Sequence, residues 1–170
     1  IDNVRSNHLK AVCSKLQEAG VTLKWDGNTV RVRSRRQFSP VDIRSLPYPG
    51  FPTDLQSPFM TLLTVANGTS VVTETIFENR FMHVAELVRM GADVSIDERC
   101  AVIRGVNTLG GAPVMASDLR AGAALVVAGL IASGVTEISR VYHIDRGYEG
   151  LEHKLQSLGA RITRVKAKKA

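Results

Sequence analysis

The chain has 170 residues, 44% of them hydrophobic and 22% charged, with a formal net charge of +6. That length and apolar content support a buried core and exclude a disordered or low-complexity chain. No run approaches the roughly 18 apolar residues of a membrane-spanning helix, and no basic, apolar and small-residue leader opens the sequence, so the expected setting is the cytoplasm, away from membranes.

The first residues, "IDNVRSNHLK", lack an initiator methionine, and the chain is expected to be part of a longer polypeptide. Apolar periodicity predicts a helix over 8–19, then strands "VTLKWD" and "NTVRVR" joined by the turn signal Asp26-Gly27-Asn28. Strand "VDIRS" follows. It leads through the proline-rich "LPYPGFPTD" to a helix over 54–66, with Thr53 as a candidate N-cap. Strand "GTSVVTETI", helix "RFMHVAELVRMGA" and the paired strands "DVSID" and "CAVIRG" come next. The last third reads as strand "APVMAS", helix "DLRAGAALVVAGLIAS", strand "GVTEISR", helix "YEGLEHKLQSLGA" and strand "RITRV". The first of these helices, through "AGAALVVAGLIAS", is apolar nearly all round, the signature of a helix buried on every side.

Three stretches resemble one another: "KLQEAGVTL", "LVRMGADVSI" and "KLQSLGARIT" each join a helix end to a strand through a glycine. Gly20, Gly91 and Gly159 fit the left-handed residue that ends a helix. The repeating unit is therefore strand, helix, strand, helix, strand, strand, recurring about every 70 residues, longer than ordinary solenoid periods. The expected architecture is α/β, built of about two and a half βαβαββ units whose helices pack together. Its expected divisions are the end of a truncated unit over 1–36, a second unit over 37–105, a third over 106–165 and a basic tail over 166–170, all in one domain.

Charged residues gather where strands run into helices, at sites whose unpaired amides attract anions. Asp54 follows "PGFPT", Arg80 follows "TIFEN", Asp118 and Arg120 follow "VMAS", and Arg146 follows "VYHID". An arginine in a first helical turn opposes the helix dipole, and three such arginines suggest a shared anionic ligand. Taken singly, each has a simpler explanation in a neighbouring acid: Glu78 for Arg80, Asp118 for Arg120, Asp145 for Arg146. Asp54 is an ordinary helix-start acid or, if it faces the arginines, a base for a substrate hydroxyl that stays ionised at neutral pH.

Other chemistries have little support. Cys13 and Cys100 stand far apart and read as buried free thiols, and no histidine has a second ligand at metal spacing, so no metal or cofactor is expected. His83, His143 and His153 read as structural or surface residues, with His143 the closest of them to a site. Three tyrosines and one tryptophan are too few for a base-stacking platform, so a nucleic-acid partner would rest on charge alone.

The stretches "PGFPTDLQ", "TETIFENRFMHV", "MASDLRA" and "YHIDRGYE" closely resemble motifs of the UDP-N-acetylglucosamine enolpyruvyltransferase (1-carboxyvinyltransferase) family, from about residue 42 to 165. The resemblance implies the inside-out α/β barrel of that family, six βαβαββ units in two domains with the active site between them. It also implies transfer of enolpyruvate from phosphoenolpyruvate to the 3′-hydroxyl of UDP-N-acetylglucosamine with release of phosphate, the first committed step of peptidoglycan synthesis.

On matching positions it implies that Asp54 is the general base and that the backbone around Ile76 contacts the sugar nucleotide. Arg80 and Arg120 would then hold the phosphoenolpyruvate carboxylate and Arg146 the phosphate, with Asp118 close by. The family's N-terminal catalytic domain, with its lysine motif and reactive-cysteine loop, has no counterpart here. The chain alone is thus expected to present one wall of the site, with negligible turnover. A 3-phosphoshikimate 1-carboxyvinyltransferase-like domain and a non-catalytic anion or nucleotide-sugar binding module are the alternatives.

Overall fold

A computed structural model describes residues 1–35 and 37–165; the basic tail lies outside them. In chain order the elements are α1 (Lys10–Glu18), β1 (Thr22–Asp26), β2 (Thr29–Arg33), β3 (Ile43–Arg44), α2 (Gln56–Leu63), β4 (Thr69–Thr73) and α3 (Val84–Arg89). They continue with β5 (Asp93–Asp97), β6 (Cys100–Arg104), β7 (Pro113–Met115), α4 (Leu119–Ile131), β8 (Glu137–Ser139), α5 (Tyr142–Asp145) and α6 (Leu151–Ser157). The class is α/β, as the sequence indicates.

The hairpin of β1 and β2 closes across Gly27 and Asn28, with Asp26 opposite Thr29 and Gly27 at φ 55°. A four-stranded mixed sheet has the order β3-β4-β6-β5, with β3 parallel to β4 and the other neighbours antiparallel. Parallel β7 and β8 form a third, smaller sheet. Gly20, Gly91 and Gly159 adopt φ of 94°, 92° and 92°, the left-handed conformation anticipated at three helix ends.

Helices are shorter than the periodicity suggests. Thr53–Leu55 forms a 3-10 turn before α2, the helix expected at "RFMHV" begins only at Val84, and α6 begins at Leu151. No strand forms over 161–165, and α5 is a separate four-residue helix where a junction loop was expected. Apolar periodicity extends into loops because side chains there also pack inward, as Phe81 does at 8% exposure. Both cysteines are free, as expected, but half-buried rather than buried.

The core centres on α2 and α4. Phe59, Met60 and Leu63 of α2 pack on Ile43, Val72 and Ile103 of the sheet, while Leu125 and Ala128 of α4 pack on Leu87, Met90 and Val114. From Ala121 to Val126 every residue of α4 is buried; its last turn emerges, with Leu130 and Ile131 exposed. The Thr61 hydroxyl donates to the Ala124 carbonyl across the two helices at 3.2 Å, an approach that the small residues of α4 allow. Gly122 serves the next contact: a Cβ there would lie 2.4 Å from Cγ1 of Ile144, the buried residue through which α5 sits on α4. Gly122→Ala is expected to displace α5 and cost about 1–3 kcal/mol, typical of overpacking. Thermal denaturation should show a midpoint lower by several degrees with the far-ultraviolet spectrum retained.

Candidate functional site

The α2–α4 crossing brings the starts of two helices together. Asp54 lies in the 3-10 turn before α2, 64% exposed at its side chain, and Arg120 is the second residue of α4. Their side chains meet, with Arg120 Nε donating to Asp54 Oδ1 at 2.5 Å. The expected partner of Arg120, Asp118, is committed elsewhere. As the N-cap of α4, its Oδ1 accepts from the backbone N–H of Arg120 (2.8 Å) and of Ala121 (3.1 Å). These first-turn amides are therefore not open to an anion, which leaves the guanidinium as the group here that could meet one. The terminal donors of Arg120 make no hydrogen bond among the described residues.

Of the three arginines, only Arg120 stands in a first helical turn. Arg80 lies four residues before α3, so the dipole does not act on it; its guanidinium lies 3.9 Å from the centroid of the Phe77 ring. Glu78, its supposed partner, faces Arg99 at 3.4 Å. Arg146 caps the C-terminal end of α5, where a cation suits the dipole, and Asp145 is held by both contacts of Arg164 Nη2 at 2.5 and 2.6 Å. Among the described residues, neither Arg80 nor Arg146 has a carboxylate partner. The first-turn positions expected of Arg80 and Arg146 are thus not found, and neither are their expected acidic partners, so both guanidinium groups keep their charge. His143, on α5, stacks its ring on Tyr142 at 4.3 Å.

Thr53 does not cap the helix. Its hydroxyl donates to Glu74 Oε2 at 2.8 Å, and the Ser45 hydroxyl donates to the same oxygen at 2.9 Å. Glu74 Oε1 accepts the backbone N–H of Ile76 at 2.7 Å and of Phe77 at 3.2 Å. Ile76 and Phe77 then turn outward, 37% and 45% exposed. Sequence reasoning passed over Glu74, although strand alternation carried the signal: Ser70 and Val72 are buried, and Glu74 continues their face at 1% exposure.

His83, expected to be structural or at the surface, is structural. It is 2% exposed, and its Nε2 has no hydrogen-bond partner among the described residues. Burial pushes its imidazole down from 6.5 to about 4; the Asp118 carboxylate and a hydrogen bond with the Arg80 backbone oppose this and are outweighed. A neutral ring thus lies between the Arg80 loop and the cap of α4. Because the folded state disfavours the protonated ring, its contribution to stability is complete above the unfolded value of 6.5 and is lost as pH falls toward 4. The predicted loss is about 3 kcal/mol across that window. Urea denaturation at pH 7.5, 6, 5 and 4.5 should show the decline, and His83→Asn should flatten it.

The model of the family described as EPSP synthase (3-phosphoshikimate 1-carboxyvinyltransferase) matches residues 1–155. Among curated proteins, the UDP-N-acetylglucosamine 1-carboxyvinyltransferase of Desulfatibacillum aliphaticivorans is 61% identical over 94% of this chain, and that of Thermodesulfovibrio yellowstonii 59% over 95%. The chain spans 38% and 39% of their lengths. Among solved structures, the enolpyruvyl transferase NikO from Streptomyces tendae superposes with a TM-score of 0.83 at 28% identity, covering 91% of this chain and 36% of NikO. An EPSP synthase from Acinetobacter baumannii superposes at 0.70 and 16% identity, over 92% of this chain and 37% of its own; it shares the fold.

Proposed function

This chain belongs to the EPSP synthase (3-phosphoshikimate 1-carboxyvinyltransferase) family, and from that premise we propose that it forms one wall of the active site of a UDP-N-acetylglucosamine 1-carboxyvinyltransferase. The observation that carries the reading is the Asp54–Arg120 pair, a proton acceptor and a bidentate anion binder drawn from two separate helix starts into direct contact. The names of the relatives at 59–61% identity support the sugar nucleotide as acceptor. Phosphoenolpyruvate is the donor, and the rest of the site comes from protein outside this chain.

In the proposed reaction the 3′-hydroxyl oxygen bonds to C2 of phosphoenolpyruvate while C3 gains a proton, and Asp54 takes the hydroxyl proton. The adduct then loses phosphate from C2 and a proton from C3, which restores the double bond. Arg80 and Arg120 hold the carboxylate and Arg146 the phosphate, so that guanidinium groups already in place meet the charge that develops. Asp118 fixes the start of α4 and with it the origin of the Arg120 side chain. Because the N–H of Ile76 is engaged by Glu74, the sugar nucleotide meets its carbonyl and exposed side chain.

The test is to join this sequence to the remaining part of the D. aliphaticivorans transferase as one polypeptide and measure phosphate release. UDP-N-acetylglucosamine should support turnover and shikimate 3-phosphate should not; the reverse would favour the shikimate-type alternative, and a folded but inactive protein would refute the assignment. In the active protein, Asp54→Asn and Arg80→Ala should each lower kcat/KM by about 100-fold or more, in the range of acid–base and electrostatic contributions. Their melting midpoints should stay within a few degrees of the parent. A large loss of stability with normal turnover would make Arg80 a structural residue.

A further inference from the structure

We propose that Glu74 is a positioning residue that sets the distance between Asp54 and the backbone at Ile76, and so places the acceptor hydroxyl. The inference rests on the functional reading above.

A carboxylate removed from water is costly unless its lone pairs are filled. Glu74 is 1% exposed and has no cationic partner among the described residues; it is satisfied by four neutral donors. These donors divide by oxygen. Oε2 holds Ser45, at the end of β3, and Thr53, the residue bonded to Asp54, whereas Oε1 holds the amides of Ile76 and Phe77, which open the loop leading to Arg80. One planar group therefore joins two segments that are 21 residues apart in sequence at the Thr53 tie. An apolar side chain of the same size would fill the volume but lose all four of these bonds, leaving Thr53, Ile76 and Phe77 without these ties while the Thr75 hydroxyl still bonds the Ser45 carbonyl. Misplacement of reacting groups by about 1 Å costs about 100-fold in rate, so a rigid spacer at this point acts on turnover more than on folding.

Thr53→Val removes one tie while keeping the shape of the side chain. In the joined transferase it should lower kcat about 10- to 100-fold, leave KM for phosphoenolpyruvate within about twofold, and leave the melting midpoint within a few degrees. Glu74→Gln keeps an acceptor for the two amides, and the rotatable hydroxyls of Ser45 and Thr53 can turn to accept from its NH2, so it should lose less than fivefold, about. Glu74→Ala should lose at least as much as Thr53→Val. In the chain by itself, amide exchange at Ile76 and Phe77 should accelerate about tenfold or more in Glu74→Ala. An active parent whose Thr53→Val variant keeps its kcat would overturn this inference alone. An inactive parent would overturn the functional reading and the inference with it. Activity lost only in proportion to unfolded protein across the series would reduce Glu74 to a core residue.

Discussion

Everything at the candidate site depends on how closely α2 and α4 approach. Dense packing leaves little tolerance for extra volume in an interior. Helix α4 meets that constraint with Ala121, Gly122, Ala123 and Ala124 in succession, all buried, so that a threonine hydroxyl of α2 reaches a backbone carbonyl of α4. The approach puts the start of α4 beside the turn before α2. From this follow the meeting of Arg120 with Asp54, the seat of α5 on Gly122 and the position of Arg146 at the end of α5. An apolar contact thus fixes the polar geometry.

Around this contact the polar groups fall into two kinds. Asp118 and Glu74 are carboxylates satisfied largely by neutral donors, and each holds backbone in place: the first turn of α4 in one case, two loops in the other. Asp54 is exposed, and the guanidinium groups of Arg80 and Arg146 have no acidic partner among the described residues. The first kind holds structure from buried or half-buried positions, while the second includes charge left free to meet a ligand. His83 belongs to the first kind, a buried ring kept neutral by its surroundings.

The α/β class could be read from periodicity because its evidence is local. A glycine after an apolar helix end and a Gly-Asn turn between alternating strands determine their conformations within a few residues. The reasons that single out the candidate site residues are less legible. Arg80 and Arg146 were selected as first-turn cations, yet one lies before its helix and the other ends a different one. The pairing of Arg120 with Asp54 spans 66 residues and depends on the α2–α4 crossing, which no local pattern encodes. Glu74 was hidden for the opposite reason: a glutamate at a strand end reads as solvated unless its register with Ser70 and Val72 is followed.

The ring of Phe77 beneath Arg80 has its own electrostatic consequence. A carboxylate would orient that guanidinium by cancelling its charge, leaving a dipole whose field fades within a few ångströms. An aromatic face orients it through a quadrupole, which carries no net charge, so the full unit of positive charge remains. In physiological salt such a charge acts over about 8 Å before counter-ions screen it. Arg80 thereby has a packing partner and still acts at a distance, a combination that an ion pair does not provide.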